Sequence, residues 1–181
     1  VAVTAEATPH HFTLTDQAIE EFATNAKVNP PLRAQEDRVA VIAGVADGTL
    51  DVIATDHAPH HYDEKEQAFE DAPFGLVGLE TALALALTEL VERDVIDLMA
   101  LVERMSTGPA RAFALLGGSL AHGSIADVTV FDPAHEWTVD PAKLRSKSRN
   151  TPFAGRTVRG RAVYTIVNGS VVHDVNSGQP R

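Results

Sequence analysis

Five of the eight histidines fall within the first 61 residues, as His10-His11 and as His57 with His60-His61. Each group follows an apolar run. Imidazole changes charge near neutral pH and ligates metals through either nitrogen, so the chemistry on offer is metal ligation, proton transfer or neutral donation to an anionic substrate. Asp56 closes the run Asp51-Val52-Ile53-Ala54-Thr55-Asp56. A carboxylate just past a buried strand can bind a divalent cation and accept a proton from water activated by it. The ordinary role of such an Asp is to cap a turn, but the flanking His57-Ala58-Pro59-His60 favours the chemical role.

Other positions carry weaker signals. Asn29 and Arg33 sit in Lys27-Val28-Asn29-Pro30-Pro31-Leu32-Arg33, where two prolines hold the chain extended. They are read either as a rigid turn with a solvated Arg or as a preformed loop offering an amide and a guanidinium to a carboxylate or carbamoyl group. Pro73-Phe74-Gly75 is read as the opening of an apolar helix, whose bare backbone N–H groups can face an oxyanion. Glu6, near the end of a buried strand, needs a salt bridge or a metal. Adjacent residues of an extended segment point opposite ways, so only one of His10 and His11 is expected to face a given site. Glu80 and Glu89 are read as exposed helix positions and Trp137 as a core anchor of a β-rich segment.

The elements that must position these residues follow from periodicity. Val1 to Ala7 and Asp51 to Asp56 read as buried strands. Helices are expected from Thr15-Asp16 to about Ala26, with Ile19, Phe22 and Ala23 on one face, and over 35–47, with Val39, Ile42, Ala43 and Ala46 inward. A helix between two buried strands is a β-α-β unit with parallel strands. That geometry puts His10, Asn29, Asp56 and His60 at one rim, where α/β folds keep their active sites. A polar loop over 57–75 precedes a very apolar helix from Leu76 to Arg93, with Leu79, Leu83, Leu87 and Leu90 on one face. Asp97 caps a helix to Met105, and Thr107 and Pro109 open another to about Leu116. Beyond Gly123 the pattern turns to β: Ala126 to Phe131, Glu136 to Val139, then Val158 to Val167 and Val171 to His173 around the hairpin signal Asn168-Gly169. The tail after Val175 is expected to fray.

The 181 residues carry 25 acidic and 15 basic side chains, a net charge of −10, in a normal globular composition. The acidic balance argues against nucleic-acid or anionic-membrane partners. No apolar run reaches the roughly 20 residues of a membrane span, and no basic stretch marks a signal peptide. The chain has no Cys, which excludes thiolate chemistry and fits a reducing, cytoplasmic setting. Phosphate-loop, nucleophile-elbow, Rossmann-glycine and helical zinc motifs are absent. The length is too short for a complete (β/α)₈ barrel of about 250 residues.

Four blocks in order resemble one family. They are Thr4-Ala5-Glu6-Ala7-Thr8-Pro9-His10-His11-Phe12-Thr13-Leu14-Thr15, Lys27 to Arg33, Asp47-Gly48-Thr49-Leu50-Asp51-Val52-Ile53-Ala54-Thr55-Asp56-His57-Ala58-Pro59-His60, and Ala72-Pro73-Phe74-Gly75-Leu76-Val77-Gly78-Leu79-Glu80-Thr81. They are similar to the long-type bacterial dihydroorotases of the amidohydrolase superfamily, over roughly residues 1–175. The resemblance implies a zinc-dependent cyclic amidohydrolase that interconverts N-carbamoyl-L-aspartate and dihydroorotate in pyrimidine synthesis. It implies that Asp56 binds zinc and shuttles the proton between the attacking water and the leaving nitrogen. Asn29 and His60 would contact substrate, as would backbone groups of Pro73, Phe74 and Gly75. The Glu matching Glu6 is a zinc ligand in some relatives only, and His10-His11 is a signature without an assigned ligand role.

The family's His-x-His strand, bridging Lys or Asp and two later His ligands have no match here. The expected architecture is therefore α/β: residues 1–118 as strands seven and eight of a (β/α)₈ TIM-type barrel with their helices, then 119–181 as part of a small C-terminal β-sandwich. The remaining zinc ligands are expected outside this chain, which alone should be inactive. A small-molecule substrate, a homo-oligomer of the full-length protein and an association with aspartate transcarbamoylase complete the expectation. The alternatives are an allantoinase or hydantoinase, a non-catalytic dihydroorotase-like partner of aspartate transcarbamoylase, and a self-folding α+β binding module.

Overall fold

Residue 1 and residues 3–177 are described by the computed structural model; of the tail expected to fray, residues 178–181 lie outside the described residues. β1 (Glu6–Ala7) lies parallel to β2 (Val52–Ile53), Glu6 opposite Val52 and Ala7 opposite Ile53. The ladder extends further, since Asp51 N–H donates to Ala5 O at 2.8 Å and Ala54 N–H to Ala7 O at 3.0 Å. Between the strands runs α2 (Gln35–Asp47), which ends on Gly48 at φ 89. The expected parallel β-α-β unit is present.

Several expectations need correction. Only the end of the Val1–Ala7 run is paired; Val1 and Val3 are exposed, because β2 first meets this segment at Ala5. β-Branched residues favour a strand only where a partner backbone exists. The inward face of α2 is Val41, Ile42 and Val45, whereas Val39, Ala43 and Ala46 are exposed. Small apolar residues all round the helix leave its rotation open, and the Arg38–Glu89 pair at 2.8 Å decides it.

The helix expected from Thr15 to Ala26 is two tight 3₁₀ turns, Asp16–Phe22 and Thr24–Ala26, the first broken at Glu20 and Glu21. Long-range bonds replace its helical ones: Asp16 N–H donates to Arg33 O, and the Thr24 hydroxyl donates to Lys65 O. Phe22 consequently lies exposed, edge-on to Phe69. His10 and His11 stand not on an extended segment but in the short helix α1 (Pro9–Thr13). The 57–75 loop contains one helical turn, α3 (Tyr62–Lys65), closed by a reciprocal cap. In that cap His61 Nδ1 accepts from Asp63 N–H, and the Glu64 carboxylate accepts from His61 N–H.

The apolar helix begins at Ala82, not Leu76. α4 (Ala82–Ala86) continues into a π turn over Leu87–Val91. Leu76 and Val77 are extended instead: Leu76 O accepts from Ala58 N–H at 2.8 Å, and Val77 N–H donates to Asn150 O at 3.0 Å. Leu79 therefore faces solvent, while Leu87 and Leu90 are buried. α5 (Leu98–Val102) is capped by Asp97, which accepts from Ala100 N–H. It passes through a π turn, Glu103–Thr107, into α6 (Gly108–Ala112), so Thr107 opens no separate helix and Leu115 and Leu116 are exposed.

The last part is an antiparallel sheet in the order β3 (Val128–Thr138), β4 (Thr157–Val167), β5 (Ser170–Asp174). The two strands expected on either side of Pro133 are one strand with a register shift between Asp132 and Glu136. Proline has no N–H for the ladder, and a bulge accommodates it. The β4–β5 hairpin turns on Asn168-Gly169, both at positive φ, as expected.

Two apolar clusters unite these parts. One gathers Ala7, Phe12, Val45, Ile53, Leu87 and Leu90 around the parallel strands. The other joins Leu76 and Leu85 to Val139, Phe153 and Val158 of the β-rich part, with Trp137 packed against it. Burying each large side chain contributes about 1.5–3 kcal/mol. Glu89, expected on an exposed face, is 0% exposed and is held by Arg38, Arg93 and Arg156.

The sheet approaches α4 at Gly160, where φ is +99 and an added Cβ would lie 2.1 Å from Leu87 Cδ1. At Gly155 φ is +77 with open space around it. Gly155→Ala is expected to lose about 1–2 kcal/mol of unfolding free energy from the left-handed backbone alone. Gly160→Ala is expected to lose a further 1–3 kcal/mol, roughly, from overpacking; urea denaturation of both variants checks the difference.

Candidate active site

Because β1 and β2 are parallel, the segments that leave them emerge on one side. α1 follows β1 and Asp56 follows β2, which brings His10 Nε2 to 3.9 Å from Asp56 Oδ2. Burial, and then the neighbouring His11, push the His10 pKa down to about 3. His10 is thus neutral at working pH, and the approach is not an ion pair. Neither of its ring nitrogens has a hydrogen-bond partner among the described residues. His11 turns elsewhere: its Nδ1 meets Thr8 Oγ1 at 2.6 Å and its Nε2 meets Pro30 O at 2.9 Å. One histidine of the pair faces the carboxylate, as expected, although helix geometry rather than strand alternation separates them.

Asp56 has φ 47, a left-handed conformation uncommon outside Gly, Asn and Asp, and its side chain is 47% exposed. It accepts no hydrogen bond among the described residues.

His60 is brought onto the Pro73-Phe74-Gly75 segment, its Nε2 lying 2.9 Å from Phe74 O. Gly75 (φ 118) packs so closely under Ala58 that an added Cβ would sit 2.5 Å from the Ala58 Cβ. The Gly75 N–H is not bare at a helix start: it donates to Lys27 O at 2.8 Å. His57 is occupied as well, its Nδ1 accepting from Gly78 N–H at 3.1 Å. Asn29 is exposed and makes no hydrogen bond to Asp56 or His60 among the described residues. Its loop is nonetheless tied to both sides of the rim, through Lys27 to Gly75 and through Pro30 to His11.

Three residues that hold this rim were not among the candidates read from the sequence. Asn150 donates to Ala58 O at 2.9 Å and Gly75 O at 3.2 Å, and its Oδ1 accepts from His60 N–H at 3.3 Å. It lies 90 residues from His60 in a polar stretch, so no local pattern distinguishes it. Lys27 and Lys65 are buried without a carboxylate. Lys27 Nζ donates to the carbonyls of Phe69, Glu70 and Ala72 and lies over the rings of Phe69 and Phe74. Lys65 Nζ donates to Pro73 O and Gly75 O. Five carbonyls of the 69–75 loop are thus clasped by two ammonium groups.

Asp56 suits a metal as a single ligand, having free lone pairs, solvent access and no competing donor. One carboxylate is not a site: no group of three His, Cys, Asp or Glu side chains that could hold a metal occurs among the described residues. Glu6 is exposed at the β1 edge and takes no part in such a group.

A family model described as the amidohydrolase family matches residues 2–172. A dihydroorotase from Geotalea daltonii is 55% identical over 173 residues, which is 96% of this chain and 40% of that protein. A dihydroorotase from Clostridioides difficile is 49% identical over 95% of this chain and 40% of its own length. Among solved structures, the L-hydantoinase (dihydropyrimidinase) of Arthrobacter aurescens superposes with a TM-score of 0.89 at 33% identity, over 95% of this chain and 39% of that one. The D-hydantoinase (dihydropyrimidinase) of a Thermus species gives 0.88 at 28% identity, covering 94% and 39%. The chain spans about 40% of the length of the curated relatives it matches.

The clasp has a pH signature. Burial, and then the charge of Lys27, lower the Lys65 pKa to about 8 from 10.5. Between those values the unfolded chain binds more protons than the folded one, so unfolding free energy rises as pH climbs from about 8 to 10.5. The neutral amine keeps two N–H donors, enough for both of its carbonyls. Lys65→Met is expected to flatten that segment of the profile, as read by urea denaturation from pH 7 to 10.5.

Proposed function

The chain belongs to the amidohydrolase family, and on that premise we propose that it is part of a dihydroorotase, the enzyme that interconverts dihydroorotate and N-carbamoyl-L-aspartate. In this reading residues 1–118 form strands seven and eight of a (β/α)₈ barrel with their helices, and residues 119–181 belong to a small β-sandwich. The observation that carries the reading is Asp56: a half-exposed carboxylate without a hydrogen-bond partner among the described residues, just past the C-terminal end of a parallel strand and 3.9 Å from buried His10. Relatives of 49–57% identity carry the dihydroorotase name, against 33% or less for the hydantoinase structures, which favours dihydroorotase over the hydantoinase alternative.

Asp56 would be one ligand of a zinc centre whose other ligands lie outside this chain. Zinc, when bound, polarises a carbonyl and makes water nucleophilic near neutral pH. Asp56 accepts the proton of the attacking water as the ring amide carbonyl is attacked, then donates it to the departing amide nitrogen. Ring opening thus adds one water, with the proton passing through the Asp56 carboxylate. Buried, neutral His10 walls one side of that carboxylate. His60, with its Nε2 on Phe74 O and its backbone N–H on Asn150, would contact substrate together with the Asn29 amide and the backbone of Pro73, Phe74 and Gly75. The substrate is a small anion, in a homo-oligomeric protein that can associate with aspartate transcarbamoylase in a cytoplasmic setting.

Asparagine tolerates the left-handed backbone that Asp56 adopts but cannot carry the proton. In the intact protein, Asp56→Asn is expected to lower dihydroorotate turnover by about 10²–10⁴-fold with unchanged circular dichroism. Wild-type turnover in that variant overturns the reading. The isolated 181-residue chain with added zinc is expected to show no dihydroorotate turnover.

A further inference from the structure

A second polar cleft opens away from the Asp56 rim, between α1, the turn after it, the start of α2 and the π turn after α4. Its volume is about 420 Å³, and Thr13, Gln17, Gln35, Arg38, Arg93 and Arg156 surround Glu89 in its wall. Three guanidinium groups face a single carboxylate there, and no other acidic side chain lines it. The charge is uncompensated, and so is the hydrogen bonding. Arg38 and Arg156 each donate to Glu89 through one Nη2 atom and Arg93 pairs with it at 3.2 Å, leaving most of the five N–H donors of each for another acceptor.

Two donors in this wall are buried without a partner. Thr13 is 7% exposed and its hydroxyl makes no hydrogen bond among the described residues; the Arg38 side chain is 13% exposed and its Nε–H makes none among them. A buried donor without an acceptor is unfavourable, and both belong to side chains that line a cleft with surplus positive charge. A tetrahedral oxyanion has acceptor lone pairs in all directions and takes paired guanidinium donors well. We propose that the Thr13–Arg38–Arg93–Arg156 cleft binds a phosphate-type oxyanion, as inorganic phosphate or as the phosphate of a small phosphomonoester.

The test titrates inorganic phosphate into the intact protein by calorimetry and thermal unfolding, with chloride at equal ionic strength as the control. Phosphate is expected to bind saturably and to raise Tm beyond the chloride control. Arg93→Gln removes the most exposed guanidinium, at 57% exposure, so the fold should survive, and binding is expected to weaken about tenfold. Thr13→Val is expected to weaken it several-fold and Thr13→Ser to restore it. Glycerol phosphate binding at least tenfold tighter than phosphate identifies a phosphomonoester ligand, and the reverse order identifies free phosphate. No saturable response beyond chloride, or an equal response in Arg93→Gln and Thr13→Val, overturns the proposal.

Discussion

The parallel pairing of two short strands is the constraint on which the rest depends. Few backbone bonds make it, linking Ala5 and Ala7 to Asp51 and Ala54. Reversing either strand would send His10 and Asp56 to opposite ends. Held parallel, with α2 as the crossover, the two emerge together, and buried neutral His10 stands beside a carboxylate without a hydrogen-bond partner. The strands owe this arrangement to helix packing, since Phe12, Val45, Leu87 and Leu90 fill the space around them. A ladder this short is not stable in water without such cover.

Around the rim, the structure invests in fixing backbone rather than in adding functional side chains. Lys27 and Lys65 spend their ammonium donors on loop carbonyls, Asn150 satisfies both Ala58 and Gly75, and His57 takes the amide of Gly78. Charged amines with only carbonyl partners are costly to bury, and the lowered pKa of Lys65 records that cost. In return the loop bearing Phe74 and Gly75 is held from three directions, which is what precise placement of a substrate surface needs.

The β-rich part is joined to the helices by two unlike contacts. One is apolar and close, with Gly160 against Leu87 and Val158 in the shared cluster. The other is ionic, with Arg156 sharing buried Glu89 with Arg38 and Arg93. Removing one partner of a buried ion pair is strongly unfavourable, so Glu89 acts as a registration point between α2, the helix that follows Leu76 and the sheet. The same residue gathers the three arginines that line the cleft.

How much of this was legible in the sequence depended on the range of the forces involved. Local signals read correctly: the Asn168-Gly169 hairpin and the Asp97 cap, because each depends on residues a few positions apart; of the apolar run at the start of the chain only the end is a strand. The four residue blocks carried the family, and with it the expectation for Asp56, His60 and Gly75. The late start of the helix at Ala82, the broken turns after Thr15, the rotation of α2 and the burial of Glu89 were not legible. Each is decided by a partner dozens of residues away: His57 and Asn150 on 76–78, Arg33 and Lys65 on 16–24, and Glu89 on Arg38. The sequence by itself determined which residues could do chemistry and which segments could pair. The tertiary structure decided which of them meet and which buried charges are shared, because long-range hydrogen bonds and ion pairs override local preferences worth only fractions of a kcal/mol per residue.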